Sequence, residues 1–250
     1  MRTRTLVLLG AGVFAVVLVA TLPASLIAGR LPAGVVLDGV YGSVFAGGAD
    51  SVTVNGAPLG ELAWSFRPSA LLALSLGYHV DLKGPADEAH GNLTLGAGGR
   101  LALDEFKLSA PVATLTQAAG QAASVAGAGR LRADIGSARL VRGWPEALSG
   151  TIQIEDLKPA MLSVPIGNYE VRFEPGAKAG TNAPLRGTVR DVKAPLAVSA
   201  QLTLQRDRTY VIEGTLTPRP TTPAEILPTL DALGPGDPSG KRAFSIGGTF

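Results

Sequence analysis

From Arg30 to the last residue the chain is a succession of short segments in which apolar and polar residues alternate, each closed by Gly, Pro, Asp or Asn. Alternation with a period of two puts one set of side chains on each face of a β-strand. Segments of this kind run over residues 35–37, 51–54, 59–66, 78–82, 92–95, 101–108, 131–140, 151–154, 169–173, 196–204, 209–216 and 243–246. A parallel sheet would need a crossover helix between successive strands, and the chain has too few helical stretches to supply them. The pattern therefore predicts a mainly β protein: an antiparallel, elongated and curved sheet with a few short helices. Glycine is abundant at 32 residues, yet 46% of the chain is hydrophobic, so the glycines punctuate a folded chain and do not signal disorder.

Four stretches share the form x-Gly-polar-aliphatic: His90-Gly91-Asn92-Leu93, Ser149-Gly150-Thr151-Ile152, Arg186-Gly187-Thr188-Val189 and Glu213-Gly214-Thr215-Leu216. In each, the glycine is read as opening a strand. Their spacing is not periodic, so they fit hairpins stacked along one axis or a mere habit of a glycine-rich hairpin protein. Three segments read as short helices. Pro68–Leu76 has proline at a first helical position and Leu71, Leu72 and Leu74 beyond it. Val112–Val125 is rich in Ala and Gln and is interrupted by Gly120. Thr222–Leu233 offers Thr222 as N-cap with Glu225 three residues on, the pattern of a capping box.

The N-terminus has a different character. Arg2 and Arg4 precede the 23 residues Leu6–Ala28, which contain no charge and no histidine, and the next charge is Arg30. A membrane-crossing helix needs ~20 apolar residues. A basic stub before the span stays on the cytoplasmic side. The reading is a cytoplasmic stub over residues 1–5, a single transmembrane helix over 6–28 that Pro23 kinks or ends, and a β domain over 29–250 on the far side of the membrane. A cleaved leader fits less well. Its apolar core is typically 7–15 residues, and neither Leu22-Pro23-Ala24 nor Leu26-Ile27-Ala28 is a small-x-small cleavage triplet. Gly10-x-Gly12-x-x-Ala15 has the outline of a dinucleotide-binding turn, but no polar helix face and no acidic residue follow before Asp38.

Composition excludes several functions. Without Arg2 and Arg4 the chain has 20 basic and 20 acidic residues, so its basic pI marks no nucleic-acid surface. No cysteine is present, which removes disulfides, thiolate ligands and a Cys nucleophile. The histidines are His79, in an alternating strand, and His90, after Asp87-Glu88 at a turn. A metal site wants three or more ligands with supporting partners, and a polar hairpin tip alone is ordinary solvated surface. Gly240-Lys241 lacks the first glycine and the final Ser or Thr of a phosphate loop. Asp104-Glu105 and Glu155-Asp156 are strand neighbours whose carboxylates are expected on opposite faces. No catalytic, metal or cofactor-binding residue is assigned, and the chain is read as a non-enzyme. Phe45, Trp64, Phe66 and Trp144 are the aromatics that serve either as core or as partner contacts, with Trp64 and Phe66 on one strand face.

Several stretches, in order, carry a resemblance. Leu37-Asp38-Gly39-Val40-Tyr41-Gly42-Ser43-Val44-Phe45-Ala46-Gly47-Gly48-Ala49 comes first. Leu59-Gly60-x-Leu62-x-Trp64-x-Phe66-x-Pro68 with Leu71-Leu72 follows. Gly143-Trp144-Pro145 before Leu148-x-Gly150-Thr151, then Gly167-Asn168-Tyr169, and finally Leu230-x-x-Leu233-Gly234 through Gly240-Lys241-Arg242 to Gly247-Gly248-Thr249-Phe250 complete the set. Together they resemble the type II secretion system protein N family, in which the position of Phe45 is more usually Trp. The resemblance implies an accessory inner-membrane component that supports export of folded periplasmic proteins. Its partners would be other secretion components and the lipid bilayer, with no catalytic residues and no cofactor. The residues leave a second possibility open: an anchored β protein that binds or transfers lipid on an apolar sheet face.

Overall fold

A computed structural model describes residues 21–29, 31–85, 87–120, 127–160, 162–176, 184–231 and 233–249. The described chain is one antiparallel sheet whose thirteen strands lie side by side in sequence order. They are β1 (Val35–Gly42), β2 (Ala46–Val54), β3 (Ala57–Arg67), β4 (Leu76–Lys83), β5 (Glu88–Gly96), β6 (Arg100–Pro111) and β7 (Ala128–Val141). β8 (Trp144–Lys158), β9 (Gly167–Phe173), β10 (Leu185–Lys193), β11 (Leu196–Leu204), β12 (Thr209–Pro218) and β13 (Arg242–Thr249) complete the sheet. All twelve segments read from alternation are strands. The thirteenth, β10, was visible only as one of the glycine echoes. At ~4.8 Å between neighbours, thirteen strands side by side make a sheet roughly 58 Å from β1 to β13 measured along it.

Cross-strand partners share a face, and following the register across the sheet gathers the aliphatic and aromatic residues on one side. Leu62 pairs with Leu82, Phe66 with Tyr78, Leu93 with Leu103 and Phe106 with Ile135. Further on, Ile152 pairs with Val171, Val189 with Ala200, and Leu202 with Ile212. The other face carries Asp81 opposite His90, Lys107 opposite Asp134, and Arg190 opposite Glu170.

Sequential antiparallel pairing also gives the sheet two distinct ends. At one end lie the β1–β2, β3–β4, β5–β6, β7–β8 and β11–β12 turns. The chain enters there: Val44 N–H donates to Leu22 O, and Ala24 N–H to Gly42 O. We call this end proximal. The helical pieces gather at the opposite, distal end. Helix α2 (Val112–Ala118) packs on β3, β6 and β7, where Ala57 and Ala110 are buried. A 3-10 turn (Ala224–Ile226) leads into α3 (Leu227–Asp231), and Ile226 and Leu230 cover Leu196 and Leu216. Leu162, Ile166, Val198 and Phe244 pack against this cluster.

Several expectations are corrected. A continuous helix ending at Ala28 does not hold over its described part. Pro23 forms a β-bridge with Ser43, and only α1 (Ser25–Ala28) beyond it is helical, because proline cannot continue a helix from the preceding turn. Residues 1–20 and 30 lie outside the described residues, and with them Arg2, Arg4, Leu6 and Arg30. Among the described residues no helix is long and apolar enough to cross a membrane. Pro68–Ala73 is a 3-10 turn, not an α-helix; α2 ends at Ala118, ahead of Gly120 at φ +79°, and residues 121–125 of the expected helix lie outside the described residues. The capping box at Thr222 does not form. Thr222 Oγ1 donates to Pro195 O (2.8 Å), while Glu225 accepts hydrogen bonds from the backbone and hydroxyl of Ser163.

The echo glycines do not open strands; they lie within them, on the apolar face. A Cβ at Gly91 would stand 2.9 Å from the Phe106 ring, and one at Gly187 would stand 2.9 Å from the Phe173 ring. Both glycines leave room for a ring reaching over from the next strand, so the echo reflects local crowding and not a structural repeat.

Candidate functional site

Three features outside ordinary strand packing stand out. The first is the apolar face itself. Few of its side chains are fully buried, and among the described residues no second layer covers it beyond the helical pieces at the distal end. Toward the proximal end it stays open: Leu76, Leu95 and Ile246 are exposed. Four aromatic residues pave this region. Phe45 meets Phe66 edge to face at 5.1 Å, and Phe66 meets Tyr78 at 5.6 Å. Trp64 shares the Phe66 face as expected, and its indole N–H donates to Ser43 O (3.2 Å). Burial pushes the Tyr78 phenol up from its ordinary value. Trp144 begins β8 opposite Val141, half-buried and well apart from that group along the sheet.

The second feature is the β3–β4 connection. Leu72 and Leu74 are 93% and 91% exposed, and Leu71 is about half exposed. The turn is nevertheless well defined. Leu74 N–H donates to Leu71 O (2.9 Å), Ser75 N–H to Ala70 O (3.1 Å), and Ser75 Oγ to Ala73 O (3.1 Å). Ala70 packs against Gly77, where a side chain would clash with it. The sequence pattern located these leucines but placed them on a helix face; their exposure follows from the tight 3-10 geometry and the left-handed Leu74 (φ +51°).

The third feature is a depression of about 680 Å3 on the polar face, spanning β5 to β9. Glu88, His90, Lys107, Arg132, Gln153 and Glu170 are among its lining residues. Glu170 is buried within it and well partnered. Gln153 donates to one oxygen (2.8 Å), Arg190 Nε to the other (2.9 Å), and Arg172 stands 3.4 Å away. Burial pushes the Glu170 carboxyl up, but the Gln153 and Arg190 hydrogen bonds and the two guanidinium charges outweigh it and hold the carboxyl below its ordinary value. Arg132 pairs with Glu155 (3.2 Å) and Lys107 approaches Asp134 (3.9 Å). The cations of the depression thus face carboxylates of this chain, which is not how a phosphate site is built. Sequence reasoning missed Glu170, because its partners lie on three strands whose register no local pattern encodes.

The remaining candidates fall in place around these features. His79 lies on the polar face between Asn92 (Nδ1 to Oδ1, 3.1 Å) and Asp81 (3.2 Å). His90 lines the depression, but Asp87 is buried at the β4–β5 turn, and burial pushes its carboxyl up against the opposing pull of Arg130. Among the described residues no group of His, Asp and Glu could hold a metal ion. The expectation that Asp104 and Glu105 face opposite ways is wrong: Glu105 adopts φ +51° in a β-bulge, and its carboxylate accepts from Asn92, the cross-strand partner of Asp104. Near the distal cluster, burial and the Asp191 charge push the Tyr169 phenol up to about 12 against the pull of Arg219, and its hydroxyl donates to Ile166 O.

Comparison with known protein families gives one match. The family model for type II secretion system (T2SS) protein N covers residues 33–245. No curated protein and no solved structure matches the chain. The match takes in the whole sheet except the last residues of β13 and extends over far more than half of the chain. The chain belongs to the type II secretion system protein N family.

Proposed function

We propose that this member of a secretion-component family is an accessory inner-membrane part of the type II machinery, supporting export of folded periplasmic proteins through protein contacts. The family match over residues 33–245 carries this reading. The family is one of secretion components, and the two faces described above offer surfaces for contact. The apolar run from Leu6 anchors the chain, with residues 1–5 cytoplasmic and the sheet periplasmic. Retention of the run is supported by Leu22 and Ala24, which are bonded into the sheet. The aromatic group Phe45, Trp64, Phe66, together with Trp144, supplies contact surface, and the neighbouring secretion components and the bilayer are the partners.

The decisive measurement is release of an exported enzyme into the medium by a deletion strain complemented with this chain. Normal release without the protein would overturn the reading. A reporter active only in the periplasm, fused after residue 60, should be active, and a soluble form starting near Arg30 would show the anchor to be cleaved. One observation favours a second reading. The apolar face is covered at the distal end and open at the proximal end, as a trough that receives acyl chains from a bilayer would be. Phospholipid retained by the protein through purification would support it.

A further inference from the structure

We propose that the β3–β4 turn, through Leu71, Leu72 and Leu74, is a membrane-inserting tip that seats the proximal end of the sheet in the leaflet of the bilayer it faces. This rests on the reading that the apolar run holds the chain at a membrane. Exposed leucines this isolated from any core are not held out without something to receive them: Leu72 and Leu74 are the most exposed large hydrophobic residues described. The turn that carries them is fixed by backbone hydrogen bonds and by Ala70 against Gly77, so it cannot fold the leucines back without breaking those contacts. Leu74 is held at φ +51°, a conformation that is rare for a leucine and turns up at ligand clamps and other working sites.

Position and charge identify the occupant as a bilayer. From Pro68 to Tyr78 the chain carries no charge, and the flanking and neighbouring turn positions are basic: Arg67, Arg100 and Arg142. An apolar turn with arginines at its base and at the next two turns along the sheet matches the acyl layer and anionic headgroups of a bacterial membrane. The chain also enters the sheet beside this tip. Leu22 is bonded to Val44, Phe45 O accepts from Phe66 N–H, and Phe66 immediately precedes Arg67 and the turn. The apolar run that the proposed function assigns to the membrane thus leads directly into the backbone that borders the leucine tip.

The absence of cysteine permits a direct test on the full chain. Leu72→Cys, and separately Ser239→Cys in the β12–β13 loop at the distal end, are labelled with an environment-sensitive fluorophore. The protein is then reconstituted into vesicles of phosphatidylethanolamine and phosphatidylglycerol. The label at 72 should shift to the blue and be quenched severalfold by a spin-labelled phospholipid, while the label at 239 should do neither. A label at 72 that reports water overturns the proposal. So does one that is shielded but unquenched by lipid, since a protein partner or a second copy would then cover the tip. Vesicle-bound protein with an aqueous label at 72 would leave the anchor standing and the tip refuted.

Discussion

The two ends of this sheet are made of the same material and finished in opposite ways. At the distal end Leu196, Leu216, Ile226 and Leu230 are folded onto one another by a short helical cover. At the proximal end Leu71, Leu72, Leu74, Leu76 and Leu95 stand in the open. Leucine count and hydropathy do not separate the ends; the difference is whether a segment of chain returns across the apolar face. After β12 it does, over about twenty residues anchored by Glu225 on Ser163 and by Thr222 on Pro195. After β3 it turns back within eight residues and cannot. Buried apolar surface in this molecule is therefore a property of connection length, and the uncovered end is the one available for work.

That contrast can be broken by mutation. Leu230→Ala at the distal end should cost about 3 kcal/mol, through lost burial and an unfilled cavity, measured by urea unfolding of the purified protein. A cost under ~0.5 kcal/mol would mean that the cover is not packed as described. Trp64→Ala lies between the extremes: its ring is half-buried, so about 2 kcal/mol is expected, including the loss of the hydrogen bond to Ser43. Glu170→Ala tests whether the polar face contributes rigidity comparable to the distal core. Loss of its charge-assisted hydrogen bonds should cost about 2 kcal/mol at pH 7. Because the folded-state carboxyl lies below its ordinary value of 4.5, this stabilisation is complete above that pH and lost as pH falls through the depressed value. A difference between wild type and Glu170→Ala that does not narrow as pH falls below 4.5 would contradict it.

Asp87 has the opposite sign. Its carboxyl is pushed up by burial and one of its oxygens has no hydrogen-bond partner in the described structure. Asp87→Ala should therefore stabilise the fold by up to ~1 kcal/mol at pH 7. The gain should shrink as pH falls through the raised value, because the wild type recovers stability on protonation. Leu72→Ala, the smallest effect, should leave unfolding unchanged within ~0.5 kcal/mol; a larger cost would place the proximal leucine in the core and erase the difference between the ends.

The strands and their antiparallel order were readable because alternation is a local property, and a meander needs no long-range information. β10 was harder to read because Gly187 stands between Leu185 and Val189 on its apolar face, and the register shifts beyond Asp191. The glycine echoes were visible, but their cause was not: Gly91 faces Phe106 only once the register of β5 on β6 is fixed. The pair Asp104-Glu105 misled for a related reason, since a bulge at Glu105 shifts the alternation by one residue and no turn residue announces it. At the helices, local signals were present and lost to tertiary ones. Glu225 and Thr222 bond to residues 62 and 27 positions away instead of capping their own turn.

Because every strand pairs only with those before and after it in the chain, the sheet never waits for a distant segment. Each new hairpin closes a short loop at low entropic cost and extends an edge already in place, so order can advance from β1 toward β13 as the polypeptide emerges in sequence order. The last strands to emerge bring the helical cover with them. Until then the growing edge is an unsatisfied row of backbone donors and acceptors, open to any extended segment that passes. Chain order here is also a timetable: the proximal leucine turn forms early, and the distal core seals last.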